Sequence, residues 1–388
     1  MSQQDNVKKL IGEVFSEVAD AMKSGSFGPK VRIGLTVLGG EHGSAELVKA
    51  AEMAQKKYSD FEVVLIGTPD VKTSLKVYDA ADDCEGHKLM EKLLDSGEIA
   101  GCVTQHYNFP IGVSTPGRVI TPGKGREMIV STTTGTSSAH RVEGMVKNAI
   151  FGIIAAKACG VENPTVGILN VDGARQVERA LKELQSNGYP ITFAESVRAD
   201  GGSVMRGNDL LCGTPDVMVT DSLTGNLLIK IFSSFTTGGD YEATGYGYGP
   251  GVGEGYERLI SIISRASGAP LICEALMYCA SCAQSKIAHI SRKEFELANK
   301  AGFKDILAKL TQGEKKEASA EDVTAPPKKV VTFAIPGIDI LELEDAVKHL
   351  WKNKIYAESG MGCTGPVILT GEDEGEKAKA VLKEKGYL

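Results

Sequence analysis

The order of segments near the start of this 388-residue sequence limits its fold more than any other feature. The apolar run Val31–Leu38 is followed by the glycine loop Gly39–Gly43, a helical pattern at Ala45–Lys57 and a second apolar run at Glu62–Gly67. A strand, a crossover helix and a second strand form a right-handed parallel unit. The loop lacks the G-x-G-x-x-G spacing of a dinucleotide site. The pattern therefore predicts an α/β body built on a parallel sheet.

The same alternation of strands and helices is predicted through the rest of the body. Apolar runs predict strands at Ile99–Thr104, Met128–Val130, Thr165–Asn170, Ile191–Glu195 and Asp216–Thr220. Helical patterns occupy Cys84–Ser96, Ala174–Asn187 and Tyr256–Ser267. Before the last of these lies Gly238–Gly255, a glycine-tyrosine loop that is too long for a simple connection. Such a loop is either a lid or binding segment, or a flexible surface excursion.

A charged stretch at residues 311–329, which contains Pro326 and Pro327, is the clearest boundary in the chain. It has the composition of an exposed linker. We therefore divide the chain into an amphipathic helix within residues 1–28, a body at 29–310, the linker at 311–329 and a β-α-β-α module at 330–388. The N-terminal helix, Asp5–Ser24, has an apolar stripe that must pack on the body or on a partner subunit.

Composition excludes several classes of function. The net charge is −7 and no basic cluster alternates with aromatic residues, so a nucleic-acid surface is not predicted. No apolar run approaches the roughly 18 residues of a membrane span, and the first residues lack the apolar core of a secretory signal. We therefore expect a cytoplasmic protein with no membrane partner. The eight cysteines lack a secreted-scaffold spacing and should be reduced thiols.

Three of these cysteines have two interpretations each. Cys279 and Cys282 form a C-x-x-C pair inside an apolar helical pattern, so they are either a redox pair or, as we favour, core residues. No second C-x-x-C exists to complete a zinc site, and no metal is predicted. Cys102 lies in a predicted strand, where a small apolar core residue is favoured over a nucleophile.

The segment Glu358–Leu369 contains the strongest candidate for a nucleophile, Cys363. Its glycines permit backbone conformations in which successive amides converge on an anion. A thiolate beside such N–H donors can attack a carbonyl carbon and stabilise the oxyanion that forms. The alternative is a glycine turn that carries a small, buried and inert cysteine. The candidates at this turn are Cys363, Thr364, Gly360, Gly362 and Gly365.

Two strand-to-helix turns in the body suit a phosphate, because free N–H groups at a helix N-terminus favour an anion. The first is richer in hydroxyl groups than one helix cap requires, although ordinary capping is the alternative. Its candidates are Ser131, Thr132, Thr133, Thr134, Ser137, His140 and Arg141. The second turn contains Asp221, Thr224, Asn226 and Lys230, of which the last two are four residues apart and can share a helix face. Here the alternative is a cap formed by Asp221 and a solvated lysine.

The body resembles the PlsX family of phosphate acyltransferases and, more distantly, the phosphate acetyltransferases. The similarity is carried by Leu38–Gly43, Pro164–Asn170 and Pro215–Lys230. The last of these resembles the D-G-F-T-G-N-x-x-L-K motif of that family, with Ser222 and Leu223 in place of its Gly-Phe. The C-terminal segment G-M-G-C-T-G-P-V is absent from ordinary PlsX proteins. Together the two parts resemble the alpha-subunit family of component C of the glycine/sarcosine/betaine reductase complex.

This resemblance implies a three-layer α/β/α body like that of isopropylmalate dehydrogenase. In the component C family, a selenoprotein, component A, carries a carboxymethyl group on selenium. Component C releases this group as an acetyl group, holds it as an enzyme thioester, and forms acetyl phosphate with inorganic phosphate. A beta subunit similar to condensing enzymes accompanies the alpha subunit, so an oligomeric assembly is expected. No cofactor is implied. Cys363 would carry the thioester, and His106 or His140 would activate it or move a proton.

Three alternatives to this function remain open. A PlsX-type enzyme that transfers an acyl group between acyl phosphate and a carrier protein would use no covalent cysteine. An oxidoreductase on the same fold is disfavoured, because the dinucleotide fingerprint is missing. A non-catalytic scaffold would dock its partners through the N-terminal helix and the Gly238–Gly255 loop. The amino acid that supplies the acetyl group depends on other components.

Overall fold

The computed structural model of the chain describes residues 30–199, 201–312, 323–338, 343–362 and 365–388, with six further positions between 12 and 22. These six positions are helical, and they are Gly12, Val14, Phe15, Val18, Ala19 and Met22. The four large apolar side chains among them are exposed. This part of the N-terminal stripe therefore does not pack on the body, and packing on a partner stays a prediction.

The first half of the body contains a six-stranded sheet with the order β11-β12-β4-β1-β2-β3. Its strands are β1 (Val31–Thr36), β2 (Phe61–Ile66), β3 (Lys76–Tyr78), β4 (Gly101–Thr104), β11 (Gly249–Pro250) and β12 (Ile260–Ile262). Neighbouring strands pair in parallel, except β11 and β12, which pair antiparallel. Parallel strands are covered on both faces, which explains why β1, β2 and β4 are nearly continuous apolar runs.

The second half contains a sheet with the order β5-β6-β10-β7-β8, and β9 also pairs with β7. Its strands are β5 (Val113–Ile120), β6 (Glu127–Thr136), β7 (Thr165–Leu169), β8 (Thr192–Phe193), β9 (Val204–Met205) and β10 (Val217–Val219). β5 runs antiparallel to β6, whereas the other pairs are parallel.

A backbone bridge joins the two halves. Ser114 in β5 and Val252, just after β11, exchange N–H···O bonds of 3.1 and 2.9 Å in antiparallel orientation. Because the pairs β6–β5 and β11–β12 are antiparallel as well, the direction reverses three times between β6 and β12. The parallel strands of the two halves therefore run in opposite directions. Their carboxyl ends lie at opposite edges of the combined sheet.

Helices cover both faces of this sheet. One face carries α1 (Gly43–Lys57), α3 (Arg141–Ala158), α4 (Ala174–Ser186), α7 (Ala269–Gln284), α8 (Ile287–Lys300) and α9 (Phe303–Gln312), which share one apolar core. The other face carries α2 (Asp83–Asp95), α5 (Gly207–Cys212) and α6 (Ser222–Ser234), which pack into a second core. The body is thus the three-layer α/β/α structure that the resemblance implied.

The C-terminal residues form a small sheet of their own with the order β13-β15-β14. Its elements are β13 (Phe333–Pro336), α10 (Leu343–Lys352), β14 (Ala357–Gly362), β15 (Gly365–Thr370) and α11 (Gly375–Lys385). All strand pairs are antiparallel. The helices cover one side of the sheet and form a separate core with residues such as Ile335, Leu350 and Ile368, against which Ile111 of the body also packs.

Three element predictions are wrong. The segment Tyr256–Ser267 is not a helix, because Ile260–Ile262 pairs with β4 and completes the first half-sheet. The hydroxyl-rich residues Ser131–Thr136 extend β6 instead of forming a strand-to-helix turn. The glycine segment near the C-terminus forms β14, so the module has the order β-α-β-β-α instead of β-α-β-α.

The structure also describes two long connections, the glycine-tyrosine segment and part of the linker, for which no helix or strand was predicted. The glycine-tyrosine segment Gly238–Gly255 is built into the body, since Glu242 and Tyr248 are each 3% exposed. It is therefore not a flexible surface excursion. Of the predicted linker, residues 313–322 lie outside the described residues, and residues 323–329 contain no helix or strand.

Candidate functional site

At the carboxyl edge of the second half-sheet, two helices begin side by side. β6 leads through residues 137–140 into α3, and β10 leads through Asp221 into α6. The two strands are neighbours, so both helix N-termini share this edge. Arg141 Nη2 donates to Asp221 Oδ2 at 3.0 Å and ties the two turns together. We call residues 131–141 and 220–226 the hydroxyl edge; its two helix N-termini and its guanidinium suit an anion.

Asp221 is the N-cap of α6. Its Oδ1 accepts from the Thr224 N–H at 3.0 Å, and its Oδ2 accepts from Thr224 Oγ1 at 2.7 Å. A capping carboxylate satisfies an N–H group that the start of a helix leaves free. The capping alternative therefore accounts for the contacts of Asp221 and Thr224.

A buried network around Asn148 uses several of the predicted hydroxyl ligands. Asn148 Oδ1 accepts from Ser137 Oγ, and its Nδ2 donates to Thr220 O at 2.8 Å. Its main-chain oxygen accepts from Ser131 Oγ at 2.5 Å, and Ser137 Oγ lies 2.6 Å from Ser114 Oγ. Buried polar groups need such partners. Ser131 and Ser137 thus hold β6 against α3 and are not free to bind an anion.

Thr132 and Thr133 are buried as well. Thr133 Oγ1 donates to Tyr248 O at 2.8 Å, and Thr132 Oγ1 lies 3.3 Å from Ser222 Oγ. Among the predicted residues of the first turn, Thr134 and His140 are partly exposed and Arg141 is exposed. The accessible part of the hydroxyl edge is therefore smaller than its sequence suggests.

Helix α6 lies unusually close to β6. A Cβ atom on Gly225 would lie 1.8 Å from Thr132 O, so only glycine permits this approach. Asn226 Nδ2 donates to Thr133 O at 3.0 Å, and Lys230 Nζ donates to the buried Glu242 Oε1 at 3.4 Å. Both side chains thus have partners within the body, and the expectation that Asn226 and Lys230 share a face towards a ligand stays a prediction.

The C-terminal hairpin reaches the hydroxyl edge. Thr136 Oγ1, at the end of β6, donates to Met361 Sδ in β14 at 3.3 Å. The two strands of the hairpin pair as far as Gly362 and Gly365. Cys363 and Thr364, which connect them in sequence, lie outside the described residues.

Gly360 pairs with Val367 inside the hairpin. It is therefore a strand residue, and not part of the anion-binding loop that was predicted around Cys363.

The other nucleophile candidate, Cys102, is inaccessible. It is fully buried in β4, and burial raises the pKa of its thiol well above the ordinary value, with a further increase from the neighbouring Cys279. Burial likewise raises the pKa of Cys279 to about 12. A thiol is nucleophilic as the thiolate. The core interpretation of Cys102, Cys279 and Cys282 is consistent with their complete burial.

His106 lies at the opposite edge of the combined sheet, after the carboxyl end of β4. Its ring contacts that of His87 at a centroid distance of 4.8 Å. Burial lowers the pKa of His106, and the nearby His87 and Arg265 lower it further. We call Gly39–Gly43, His87, Thr104–His106 and Ser264–Arg265 the glutamine edge, after its buried Gln105.

Three residues that belong to these edges or contact them escaped the sequence analysis. Asn148 is hidden in the apolar pattern of α3, Met361 carries no polar signal, and Gln105 is a single amide after a strand. Of the three, only Gln105 could have been selected from its position, because it directly follows a predicted strand, where ligand-binding residues of α/β proteins concentrate.

Within the described residues, no group of three or more His, Cys, Asp or Glu side chains is arranged to hold a metal ion. In the same part of the chain, every helix is too short or too polar to cross a membrane.

Comparison with known proteins shows similarity to one protein family, to a subunit of a reductase complex and to phosphate acyltransferases. A family model described as "Fatty acid synthesis protein" matches residues 31–369. The alpha subunit of component C of the glycine/sarcosine/betaine reductase complex from Peptoclostridium acidaminophilum is 61% identical over 383 residues, 99% of each chain. The phosphate acyltransferase of Thermotoga maritima is 27% identical over 238 residues, which cover 52% of this chain and 68% of that protein. That of Bacillus cereus is 26% identical over 247 residues, 52% of this chain and 70% of its own.

Proposed function

Because the chain belongs to the fatty acid synthesis protein family and matches a component C alpha subunit along its whole length, we propose that it is an acyltransferase subunit of a glycine, sarcosine or betaine reductase complex. The acyl group is acetyl, and the acceptor is inorganic phosphate. Cys363 carries the acetyl group as a thioester between the two half-reactions. The phosphate lies at the hydroxyl edge, on the N-termini of α3 and α6 beside Arg141.

One observation supports this proposal: strand β14, which precedes Cys363 in the sequence, contacts the hydroxyl edge. The contact between Met361 and Thr136 brings a residue two positions before Cys363 to the end of β6. Five residues after Thr136, Arg141 begins α3. A thioester on the hairpin and an anion on the helix N-terminus would thus be neighbours.

In the proposed phosphorolysis, a phosphate oxygen attacks the thioester carbonyl carbon. The C–S bond then breaks, and the sulfur of Cys363 leaves as a thiolate. The thiolate takes up the proton that the phosphate loses, and acetyl phosphate is released. Inorganic phosphate is a modest nucleophile, so holding it in line with the carbonyl supplies most of the rate enhancement. Backbone N–H groups near the hairpin turn would stabilise the oxyanion of the tetrahedral intermediate.

The proposed source of the two acetyl carbons is the carboxymethyl group on the selenoprotein, component A, and the proposed partner is the condensing-enzyme-like beta subunit of component C. Both assignments rest on similarity to the component C family. The exposed apolar side chains Val14, Phe15, Val18 and Met22 are consistent with an oligomeric assembly.

Acetyl transfer from acetyl phosphate to the full-length chain tests the proposal. Intact-mass and peptide mass spectrometry should find one acetyl group on the Cys363 peptide, removable by phosphate or arsenate. The adduct should be absent from Cys363→Ala. Cys84 is an exposed thiol, so Cys84→Ala is the matched control for uncatalysed acetylation and should keep the Cys363 adduct.

A second candidate function is direct acyl transfer without a covalent cysteine. The relatives named phosphate acyltransferase align with about half of this chain, which favours retention of such chemistry in the body. Unimpaired exchange between acetyl phosphate and labelled phosphate in Cys363→Ala, with no adduct in the wild type, would establish this second function. An adduct on Cys102 would instead replace the nucleophile and keep the reaction class.

A further inference from the structure

Helix α6 carries an exposed row of apolar side chains. Leu223, Leu227, Ile231 and Phe235 are four residues apart, and each is between 50% and 74% exposed. Side chains at this spacing lie above one another on one side of a helix, so the four form a continuous ridge about 18 Å long. The opposite side of α6 packs into the second core of the body. We call these four residues the α6 ridge.

The α6 ridge differs from the ordinary scatter of apolar side chains on a protein surface. Single exposed apolar residues are common. Among the body helices that the structure describes, α1 and α5 each expose one large apolar side chain, Met53 and Leu211, whereas α6 exposes a row. The single charged residue of α6 is Lys230, which donates to the buried Glu242 at 3.4 Å. The ridge is therefore suited to an apolar partner.

The N-terminal helix carries a second exposed apolar face with the same spacing. Val14, Val18 and Met22 are four residues apart, Phe15 lies beside Val14, and the four side chains are between 42% and 78% exposed. We call these four residues the N-terminal stripe. Ridges of residues four apart interdigitate in the commonest class of helix packing. The chain thus has two apolar helix faces of matching geometry, and the described residues cover neither of them.

The amount of apolar surface on the two faces indicates what covers them. A large apolar side chain that is half exposed leaves on the order of 100 Å² for a partner, so each face offers roughly 400 Å². A stable interface buries about 800 Å² of each partner, and neither face supplies this area by itself. Both faces together supply it. In a two-fold symmetric dimer each copy contributes both faces to one interface.

The N-terminal segment joins the body at the edge where α6 begins. α6 follows β10 and so starts at the carboxyl edge of the second half-sheet. The N-terminal segment leads into Val31, at the amino end of β1. Because the two half-sheets run in opposite directions, this end lies at the same edge. The N-terminal stripe is exposed, so it does not cover the ridge of its own chain and is available to that of a second copy.

We propose that two copies of this chain form a two-fold dimer in which the N-terminal stripe of each copy packs on the α6 ridge of the other. Leu227 and Ile231 are the central residues of the ridge, and Val18 is the central residue of the stripe. A lipid surface fits the ridge less well, because a helix that lies on a membrane carries Lys or Arg beside its apolar face and α6 has one lysine, already paired. The dimer does not depend on the thioester at Cys363.

Analytical ultracentrifugation of the full chain tests the dimer. Leu227→Lys and Val18→Lys should each raise the dissociation constant of the dimer at least about 30-fold, the effect of losing a central interface residue. Leu211→Lys is the matched control, because it changes an exposed leucine of α5 outside the ridge and should leave the dissociation constant unchanged. Cys363→Ala should sediment like the wild type, so failure of the thioester mechanism and failure of the dimer are distinguishable.

Cross-linking tests whether the two faces meet between copies. A copy with Val18→Cys and a copy with Leu227→Cys are co-expressed and treated with a short bismaleimide. Peptide mass spectrometry should find residues 18 and 227 linked, and each copy contains only one of the introduced cysteines, so this link joins two copies. Cys84 is a native exposed thiol, and links to its peptide measure non-specific reaction. All substitutions replace exposed side chains, so circular dichroism should be unchanged.

Three results would overturn the proposal. The first is a wild type that sediments as a monomer at every concentration measured. The second is a dimer that Leu227→Lys dissociates and Val18→Lys does not, since the two ridges would then pack on each other. The third is a monomeric wild type that sediments with vesicles of phosphatidylcholine and phosphatidylglycerol, while Leu227→Lys does not, which would assign the ridge to lipid.

Discussion

The two carboxyl edges of the body sheet differ in how many polar residues they contain and in whether the donors of those residues already have acceptors in the protein. The hydroxyl edge contains a run of serines and threonines, but Ser131, Thr133 and Ser137 donate to atoms of the protein itself. The glutamine edge contains fewer polar residues, but Gln105 keeps a buried N–H group without a partner. A run of serines and threonines therefore does not by itself show that its hydroxyl groups are free to bind a ligand.

The difference follows from what each edge has to hold together. At the hydroxyl edge, α6 approaches β6 so closely that main-chain atoms of β6 are in contact with the helix, and the hydroxyl groups satisfy the buried backbone there. At the glutamine edge, the glycine loop folds over Gln105 without supplying an acceptor. One edge is mainly a structural network, and the other is a polar cluster with an unused donor.

Gly225→Ala should give the largest effect and tests whether the hydroxyl edge is structural. The added Cβ atom would overlap Thr132 O and push α6 away from β6, which should destabilise the fold by about 3 kcal/mol. Thermal unfolding measures this loss. Gly207→Ala at the start of α5 is the control, because nothing lies within 4 Å of its added methyl group. Equal stability of the two variants would contradict the close packing.

Asn148→Ala should have the next largest effect. It leaves Ser137 Oγ and Thr220 O without their buried partners, at a cost of about 2 kcal/mol measured by denaturant unfolding. Asn353→Ala, which removes an exposed bond of 2.9 Å to His349 O, is the control and should cost less. If Asn148→Ala were as stable as the wild type, the hydroxyl groups would be free for a ligand after all.

His87→Gln probes the pH dependence that arises at the glutamine edge. Burial lowers the pKa of His87, although Asp83 and Glu91 oppose this. The neutral ring therefore contributes stability above its ordinary pKa of about 6.5, and this contribution is lost as the pH falls through the lowered value. The wild type should lose stability as the pH falls below about 6.5, and the variant should lose less. The exposed His289 serves as the control in His289→Gln, and identical pH profiles for wild type and His87→Gln would refute the assignment.

Thr136→Val should have the smallest effect on stability and tests the docking of the hairpin. A hydroxyl bond to sulfur is weak, so its loss should cost only about 0.5 kcal/mol. Acetylation of Cys363 and phosphorolysis should nevertheless slow, because the hairpin is held less firmly at the hydroxyl edge. Transfer rates equal to the wild type would show that this contact does not position Cys363. Thr311→Val, at an exposed hydroxyl in α9, controls for the substitution itself.

Much of the body could be predicted from local patterns. The strands at residues 31–36 and 61–66 and the helix between them follow from apolar periodicity, because a strand or helix must bury a face whose spacing is visible in the sequence. The strand at 260–262 could not be predicted in this way. Three apolar residues fit a helix as well as a strand, and pairing with β4 decided between them.

The candidate site likewise has features that could be predicted from the sequence and features that could not. The sequence by itself determined the family, the cap at Asp221 and the glycine-flanked Cys363, because each depends on neighbouring residues in the chain. Only the tertiary structure decided which hydroxyl groups were used internally, that Gln105 was left without an acceptor, and that Met361 met Thr136. The physical reason is that the availability of a hydrogen-bonding group depends on partners far away in sequence, and these are set by packing of the whole fold.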